Sequence, residues 1–522
     1  MGETLRTGNK NKRKYLVGID AGTSVVKSVI FDLDGKQISS AKKELNYSSP
    51  KPSWAELDMD QLWKAVVETL KEIMTDNKNI INKIAGIGIT GTASGAWLVD
   101  SQFKPIRPAI LWNDGRSGDI LKEWQEEGVT DQIFDISGNI VFPGFGVAVL
   151  RWLKDNEPKT LEKARNYFYA KDWIRFQLTG DWATDDTDAS FFPFDLVEKK
   201  YSSRIMRLCG IGNIDIELPP IKPSHQVRAS VTGKAAQETG LPEGIPVVTG
   251  LNDAAAAALG AGVVSKGQAC SVLGTSNLNH VVVDSPLFLP RSVGCSQSTV
   301  DNKWLRSLVN TCGTLNIDWA IKVLYSSEKT RLARQRISIY ELMEKEAASV
   351  PIGSSTLIYH PYLNSTGVVS PFVHPGARGT FFGLAAKHTR AHLTRAIYEG
   401  ASLAIYDCYK HIPISVPKIV LSGGGARSKF WCQIISDVTG KEVVVPAGEE
   451  FGARGAAIVA AIGLGLFSNA KEAVSNMVYA KDFYQPNIEN HDKYKDIYSL
   501  YSNLALDLND HWWQRHKLEN KY

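Results

Sequence analysis

Two stretches of the chain, about 250 residues apart, read almost alike: Leu16-Val17-Gly18-Ile19-Asp20-Ala21-Gly22-Thr23-Ser24 and Ala269-Cys270-Ser271-Val272-Leu273-Gly274-Thr275-Ser276. Each is a β-forming run that breaks into Gly-Thr-Ser. A second β-forming run follows each one, Val25 to Phe31 and His280 to Val283, so both copies predict a strand–turn–strand hairpin. Glycine gives such a turn its backbone freedom, while Thr and Ser set hydroxyls beside exposed N–H groups that can meet phosphate oxygens. One loop of this kind constrains little. Two copies, one opening each half of the chain, predict a duplicated fold that grips a nucleotide phosphate tail from both sides.

With 522 residues, 43% hydrophobic and 22% charged, the chain is long for a single core, and two large domains are expected. A net charge of +4 is too small and too evenly spread for nucleic acid to be the main partner, but it suits a polyanionic small molecule. The six cysteines stand singly, with no Cys-x-x-Cys and no His pair at metal spacing. That pattern argues for reduced, buried thiols rather than a zinc site or a disulfide framework. No apolar stretch is long enough to span a bilayer, and Met1 to Lys14 lacks a signal peptide's apolar segment, so no membrane partner is expected and the expected location is cytoplasmic. Met1-Gly2 resembles a myristoylation start, but Arg6 stands where that motif needs Ser or Thr; residues 1–13 are expected to be a disordered basic tail.

Tyr15 to Asp20, Val25 to Phe31 and Lys36 to Leu45 predict three strands, with Asp34-Gly35 turning between the last two. A helix follows, with Leu62, Val66, Leu70 and Ile73 at helical spacing after an acidic start. Ile84 to Thr90 reads as a buried parallel strand. Helices are expected around Val149 to Leu153, ending before Pro158, and from Asp172 to Leu178. Pro246 to Gly250 reads as a strand, and Asp253 to Leu259 as the start of an alanine-rich helix. The domain boundary is placed near Gly260 to Gly267. The second half repeats the plan with a hairpin from Gln268 to Val283, helices at Leu315 to Leu324 and His392 to Tyr409, and a strand at Lys418 to Leu421 entering Ser422-Gly423-Gly424-Gly425. Asp492 to Gln514 reads as one terminal amphipathic helix.

Gly86-Ile87-Gly88-Ile89-Thr90-Gly91 matches G-x-G-x-x-G, the dinucleotide fingerprint. That fingerprint belongs between a strand and a helix, whereas these glycines lie within the strand itself. A Walker A sequence is absent, so the ordinary P-loop does not hold ATP here.

Several motifs, in chain order, resemble the FGGY family of carbohydrate kinases. They are Asp20 to Ser24, Trp112-Asn113-Asp114-Gly115-Arg116, Lys171-Asp172-Trp173 with Leu178-Thr179-Gly180, Gly250-Leu251-Asn252-Asp253-Ala254-Ala255, Gly274-Thr275-Ser276 and Ser422 to Ala426. Gly379-Thr380-Phe381-Phe382-Gly383-Leu384, followed by His392-Leu393-Thr394-Arg395-Ala396-Ile397-Tyr398-Glu399, resembles the family's second signature. The resemblance covers nearly the whole chain. It implies an α/β, duplicated ribonuclease-H-like (actin-like ATPase) fold, with two domains around a central cleft that close over ATP, Mg2+ and a small sugar or polyol. The expected parts are a sugar and phosphate domain at 14–260, an adenosine domain at 261–480 and a helical extension at 481–522; a homodimer is a family-level expectation.

A sugar hydroxyl is a poor nucleophile near neutral pH and needs a carboxylate to accept its proton as the bond to the γ-phosphate forms. Asp253 is the candidate and matches the family's catalytic aspartate; the alternative is an N-cap of the helix it begins. Asp20, at the end of the first strand, is the candidate to hold magnesium through waters, the alternative being a turn aspartate. Gly22, Thr23, Ser24, Lys27, Gly274, Thr275 and Ser276 are then candidate phosphate contacts, with a solvated strand lysine as the alternative for Lys27. Gly424 and Gly425 are expected beside the adenosine, or in a plain turn at a helix start. Gly313 and Asn316 form a second adenosine-side patch.

Substrate identity is expected in Ala93 and Ser94, in Trp112, Asn113 and Asp114, and in Asn252 beside Asp253. Glycerol kinases carry an Arg-Glu pair, and D-xylulose kinases a Met-His pair, where this chain has Ala93-Ser94. Small residues make a roomier wall and argue against a three-carbon substrate. Asp114 either bonds a sugar hydroxyl or pairs with Arg116. Ser53 to Asp58, Lys171 to Trp173 with Ala189-Ser190-Phe191, and His388 to Leu393 look most like the L-xylulose and erythritol kinase branches. The expected reaction is phosphorylation of a terminal hydroxyl of a pentulose such as L-xylulose, or of erythritol or another polyol. The competing class is a non-catalytic actin-like nucleotide-binding protein, which would not need a carboxylate at position 253.

Overall fold

The computed structural model describes residues 14–335, 337–519 and 521, so the tail expected at 1–13 lies outside the described residues. Two mixed sheets of seven strands organise the chain. The first orders its strands Gln37–Glu44, Val25–Asp32, Tyr15–Ala21, Ile84–Gly91, Pro246–Val248 and Val227–Ser230, with Leu251–Asn252 pairing at the end of Ile84–Gly91. The second runs Lys303–Asn310, Asn277–Val283, Ala269–Leu273, Lys418–Ser422, Glu442–Pro446 and Ala480–Tyr484, with Cys295–Thr299 added beyond Lys303–Asn310. In both, three antiparallel strands meet two parallel ones and an antiparallel strand closes the far edge. The duplication seen in the Gly-Thr-Ser hairpins therefore extends to whole sheets.

The helix Met59–Asp76 shows how the first sheet is covered. Asp58 caps it by accepting from the backbone N–H groups of Asp60 and Gln61, and Leu62, Val66, Leu70 and Ile73 bury one stripe against the strands. On the opposite face lies Phe451–Gly463, a helix contributed by the second half. It lies flush because glycines face it: a Cβ on Gly18 would collide with the carbonyl of Ala453, and one on Gly88 with that of Ala456. The same helix crosses Asp253–Gly260 at two further glycine contacts, Gly260 on the Phe451 carbonyl and Gly455 on that of Ala256. The first two glycines of the G-x-G-x-x-G run, Gly86 against Leu464 and Gly88 against Ala456, thus serve a seam between the halves, while Gly91 packs on Lys171 of its own half.

A second seam lies at the edge of the other sheet. Ser296 N–H donates to Gly138 O at 2.9 Å and Ile140 N–H to Gly294 O at 3.1 Å, while Arg291 forks onto Asp135 at 3.0 and 2.9 Å.

Two expectations change near the C-terminus. The strand Ala480–Tyr484 completes the second sheet, so a boundary at 480/481 falls inside a strand; the helical part starts with Ile488–Asp507. That part is two helices, Ile488–Asp507 and Asn509–Glu519, where the periodicity predicts one. The break falls at Leu508-Asn509-Asp510, where Asn and Asp favour turns and the Asn509 carbonyl bonds His374 Nε2 at 3.0 Å. Among the described residues no helix is long and apolar enough to cross a membrane.

Candidate active site

Asp20 and Lys27 are direct cross-strand partners in the first hairpin, so their side chains share a face. That face meets the N-terminus of helix Phe451–Gly463, where a Cβ on Gly452 would press on Asp20 Oδ2. Lys27 Nζ reaches Glu450 Oε2 at 2.6 Å. Burial pushes the Asp20 carboxyl up to about 7, with the negative charges of Asp253 and Glu450 adding to it and Lys27 opposing. Burial likewise raises Asp253 to about 6, against the pull of the Ala254 N–H. Asp20 therefore faces two further negative charges and one lysine, and its surroundings are short of positive charge.

Asp253 begins its helix but does not cap it. The cap is Asn252, whose Oδ1 accepts from Ala255 N at 2.9 Å, while Asp253 Oδ1 accepts from Ala254 N at 2.7 Å. Asn252 Nδ2 donates to Thr187 O at 2.8 Å and Gln297 Oε1 at 2.6 Å. Fully buried and fully bonded, Asn252 has no group left for substrate, which corrects its expected sugar contact. Its clamp explains the Lys171-Asp172 motif. Buried Lys171 lies 2.6, 3.2 and 3.1 Å from Asp172, Asp185 and Asp188; burial opposes its charge, yet these carboxylates hold it protonated. Asp185 in turn caps the short helix that carries Thr187.

The two hairpins differ in exposure of their hydroxyls. Gly22 N–H closes the first turn on Val25 O, Thr23 Oγ1 accepts from Trp112 Nε1 at 2.9 Å, and Ser24 is exposed. In the second, Thr275 is exposed between half-buried Gly274 and Ser276. Gly313 lies against the carbonyls of Gly274 and Thr275, and Thr314 N–H donates to Gly274 O at 2.7 Å. Gly313 is thus a packing position for this hairpin. Asn316 is buried and bonded on every side, donating to Pro361 O at 3.2 Å and Gly313 O at 3.4 Å and accepting from the Tyr359 hydroxyl at 2.8 Å. The expected adenosine contact at Asn316 is corrected accordingly. Thr275→Val is expected to raise the KM for ATP and lower kcat while changing sugar affinity less, because it removes a hydroxyl and keeps the shape. Calorimetry with nucleotide and steady-state kinetics check it; unchanged values contradict a phosphate contact there.

A cleft of about 470 Å³ brings Lys27 of the first half together with Gly423, Gly424 and Glu450 of the second. The glycine pair at its wall divides: nothing lies within 4 Å of a Cβ on Gly424, whereas one on Gly425 would meet the Trp431 ring at 2.6 Å. Gly424 faces the cleft and Gly425 the core.

On the expected sugar side, Ala93 is half-buried, and Trp112 and Asn113 are exposed. Ser94 is committed to the wall itself: at φ +67° its hydroxyl lies 3.2 Å from both Gly144 O and Gly146 N. Asp114 is taken by the ion pair. Its Oδ1 accepts from Arg116 Nε at 2.8 Å and Arg116 N at 2.9 Å, and its Oδ2 from Arg116 Nη2 at 2.9 Å and Ala55 N at 2.6 Å. Sequence reasoning missed Glu450; the one signal for it is its place directly before the small-residue helix Gly452-Ala453-Arg454-Gly455-Ala456.

Two halves of one topology, each carrying a Gly-Thr-Ser hairpin, bound a cleft that Lys27 of the first half shares with Gly424 and Glu450 of the second, the duplicated arrangement of the actin-like ATPase fold. Residues 15–260 match the FGGY family of carbohydrate kinases, N-terminal domain, and residues 269–464 the C-terminal domain of the same family, and the chain belongs to that family. A probable L-xylulose kinase from Pasteurella multocida is 29% identical over 501 residues, 95% of this chain and 99% of that protein. A xylulose kinase from Staphylococcus epidermidis is 30% identical over 508 residues, 94% and 96% of the two chains. The crystal structure of xylulose kinase from Rhodospirillum rubrum, 28% identical, matches with a TM-score of 0.85 over 96% of this chain and 100% of that one.

The protein is therefore a kinase that uses ATP with Mg2+, which sets aside a non-catalytic binder. The charge deficit around Asp20 fits a divalent cation. Among the described residues no group of three or more His, Cys, Asp or Glu side chains is placed to hold a metal ion, so most of the cation's ligands would be water and phosphate oxygens.

Proposed function

We propose that the chain transfers the γ-phosphoryl group of ATP to a terminal hydroxyl of a pentulose, with L-xylulose the preferred acceptor and Asp253 the general base. The observation that carries this reading is Asp253 itself: its carboxylate bonds only its own helix turn, while Asn252 beside it, and Asp114 of the Trp112 to Arg116 motif, are spent on the protein. A base raised to about 6 is ionised at neutral pH and still basic enough to take a hydroxyl proton as the P–O bond forms. Asp20, on the phosphate side, would hold magnesium through water; the cation supplies charge neutralisation at the phosphates. Thr23, Ser24, Lys27 and Thr275 would orient the phosphate tail, with Lys27 leaving Glu450 to meet it. Gly424 would let the adenosine lie against bare backbone.

The acceptor class rests on the wall and on resemblance. Ala93 offers no polar group and Ser94 spends its hydroxyl on Gly144 and Gly146, so nothing there grips a three-carbon polyol, and the named relatives above act on xyluloses. A coupled assay with L-xylulose, D-xylulose, L-ribulose, erythritol and glycerol tests it. L-Xylulose should give the highest kcat/KM, and glycerol a value lower by roughly a hundredfold or more, the cost of polar contacts the pocket does not make. Erythritol ahead of every ketose would move the assignment to the polyol kinases; glycerol in first place would contradict it.

A further inference from the structure

The signature from Gly379 to Glu399 contributes no residue to the 470 Å³ cleft, yet its members converge on one unusual piece of backbone. Gly353, Ser354, Ser355 and Thr356 have φ of +77, +48, +55 and +75° in succession. A left-handed turn of this length is sterically costly for L-residues other than glycine, most of all for a β-branched threonine, and persists only where its surroundings impose it. We propose that Glu399 imposes it, and that the turn, acting through Asn316, positions the Thr275 hairpin for nucleotide; the inference rests on the reading of Thr275 as a phosphate contact.

Glu399 is buried. Its Oε1 accepts from Gly353 N and its Oε2 from Ser354 Oγ, both at 3.0 Å, and the carboxylate is itself fixed by Arg395 Nε and the Tyr494 hydroxyl, both at 2.8 Å. His388 Nε2 lies 3.3 Å from Ser355 O. Gly383, at φ +86°, lies against the Thr356 carbonyl, with a Cβ there at only 2.8 Å. Both stretches of the signature, with His388 between them, thus wrap the turn. Beyond it the chain forms the strand Ile358–His360, which pairs with the signature's own Thr380–Phe382.

From that strand the contacts run inward. The Tyr359 hydroxyl donates to Asn316 Oδ1 at 2.8 Å, and Asn316 Nδ2 holds Pro361 O and Gly313 O. Gly313 and Thr314 then press on Gly274 and Thr275. Each step is a buried hydrogen bond or a backbone contact, so a shift of the turn has no slack to absorb it before the hairpin. Glu399 touches no reactant; it is a positioning residue.

The test uses the full-length protein with Mg2+ and the non-hydrolysable analogue AMP-PNP, measured by calorimetry beside steady-state kinetics. Glu399→Gln should weaken AMP-PNP about tenfold, the scale of one lost charge-assisted hydrogen bond, and Ser354→Ala about threefold. Both should leave the KM for sugar within about twofold of the wild type, a split that general loss of structure would not give. Adding Thr356→Gly to Glu399→Gln should restore most of the affinity, because glycine adopts the left-handed conformation without being forced. If Glu399→Gln fails to fold, Ser354→Ala alone decides. Unchanged nucleotide affinity in these variants beside a weakened Thr275→Val overturns the inference. A silent Thr275→Val overturns the phosphate reading and the path through it, whatever Glu399→Gln does.

Discussion

Asp253→Asn is expected to lower kcat by roughly a hundredfold or more, the usual scale for a lost general base, while ATP affinity stays within about twofold. The substitution keeps the volume and the bond to Ala254 N and removes only the capacity to take a proton. The wild-type pH profile should carry the same signature. Because burial raises the Asp253 carboxyl to about 6, the base is protonated and idle below that value and ionised above it. At saturating ATP and Mg2+, where the cation keeps Asp20 ionised, log kcat/KM for the sugar should therefore rise with pH at unit slope and level off above about 6. Asp253→Asn should flatten that limb. Near-normal turnover in the variant, or an acid limb that survives in it, would remove Asp253 from the mechanism.

Gly88→Ala is expected to destabilise the protein strongly, by roughly 3 kcal/mol, because the added Cβ meets backbone and not a side chain that could turn aside. The added Cβ would collide with the carbonyl of Ala456, and that helix cannot withdraw: it is already seated on Gly18 and crossed by Gly260 and Ala256. Gly424→Ala supplies the contrast. Its Cβ meets nothing within 4 Å, so the melting midpoint should not move, whereas the KM for ATP should rise as the methyl group enters the cleft. Thermal melts of the two variants separate a glycine that joins the halves from one that faces a ligand. A Gly88→Ala protein melting with the wild type would contradict the glycine seam.

The comparison of these glycines shows what sequence could and could not convey. Gly22-Thr23 and Gly274-Thr275 were legible because a turn and its hydroxyls are local, and the strands on either side repeat the same pattern. The purpose of Gly88 was not, since it depends on a helix more than 350 residues away in the chain. Asn252, Asp114 and Asn316 illustrate a second limit. Their residue types and positions mark them as site residues, and they do build the site, but from behind: their bonds go to Thr187, Arg116 and Tyr359. Sequence shows that a polar group is present and not which partner spends it. Glu450 escaped for the reason the Lys27 ion pair did, because its partner lies in the other half. The strand Ala480–Tyr484 is too short to show alternation against the helical periodicity that follows it.

In the proposed mechanism, phosphoryl transfer goes to a sugar hydroxyl whose proton Asp253 accepts, within a cleft that disfavours water as acceptor. The direct measurement is ADP release from ATP and Mg2+ with and without L-xylulose, with the product's phosphorus followed by 31P NMR. Sugar should accelerate ADP release by roughly a hundredfold or more, the scale of a base acting on a bound hydroxyl. The product should be a phosphate monoester whose phosphorus couples to a terminal methylene. ADP release at one rate with or without sugar, with inorganic phosphate as the product, would contradict this mechanism.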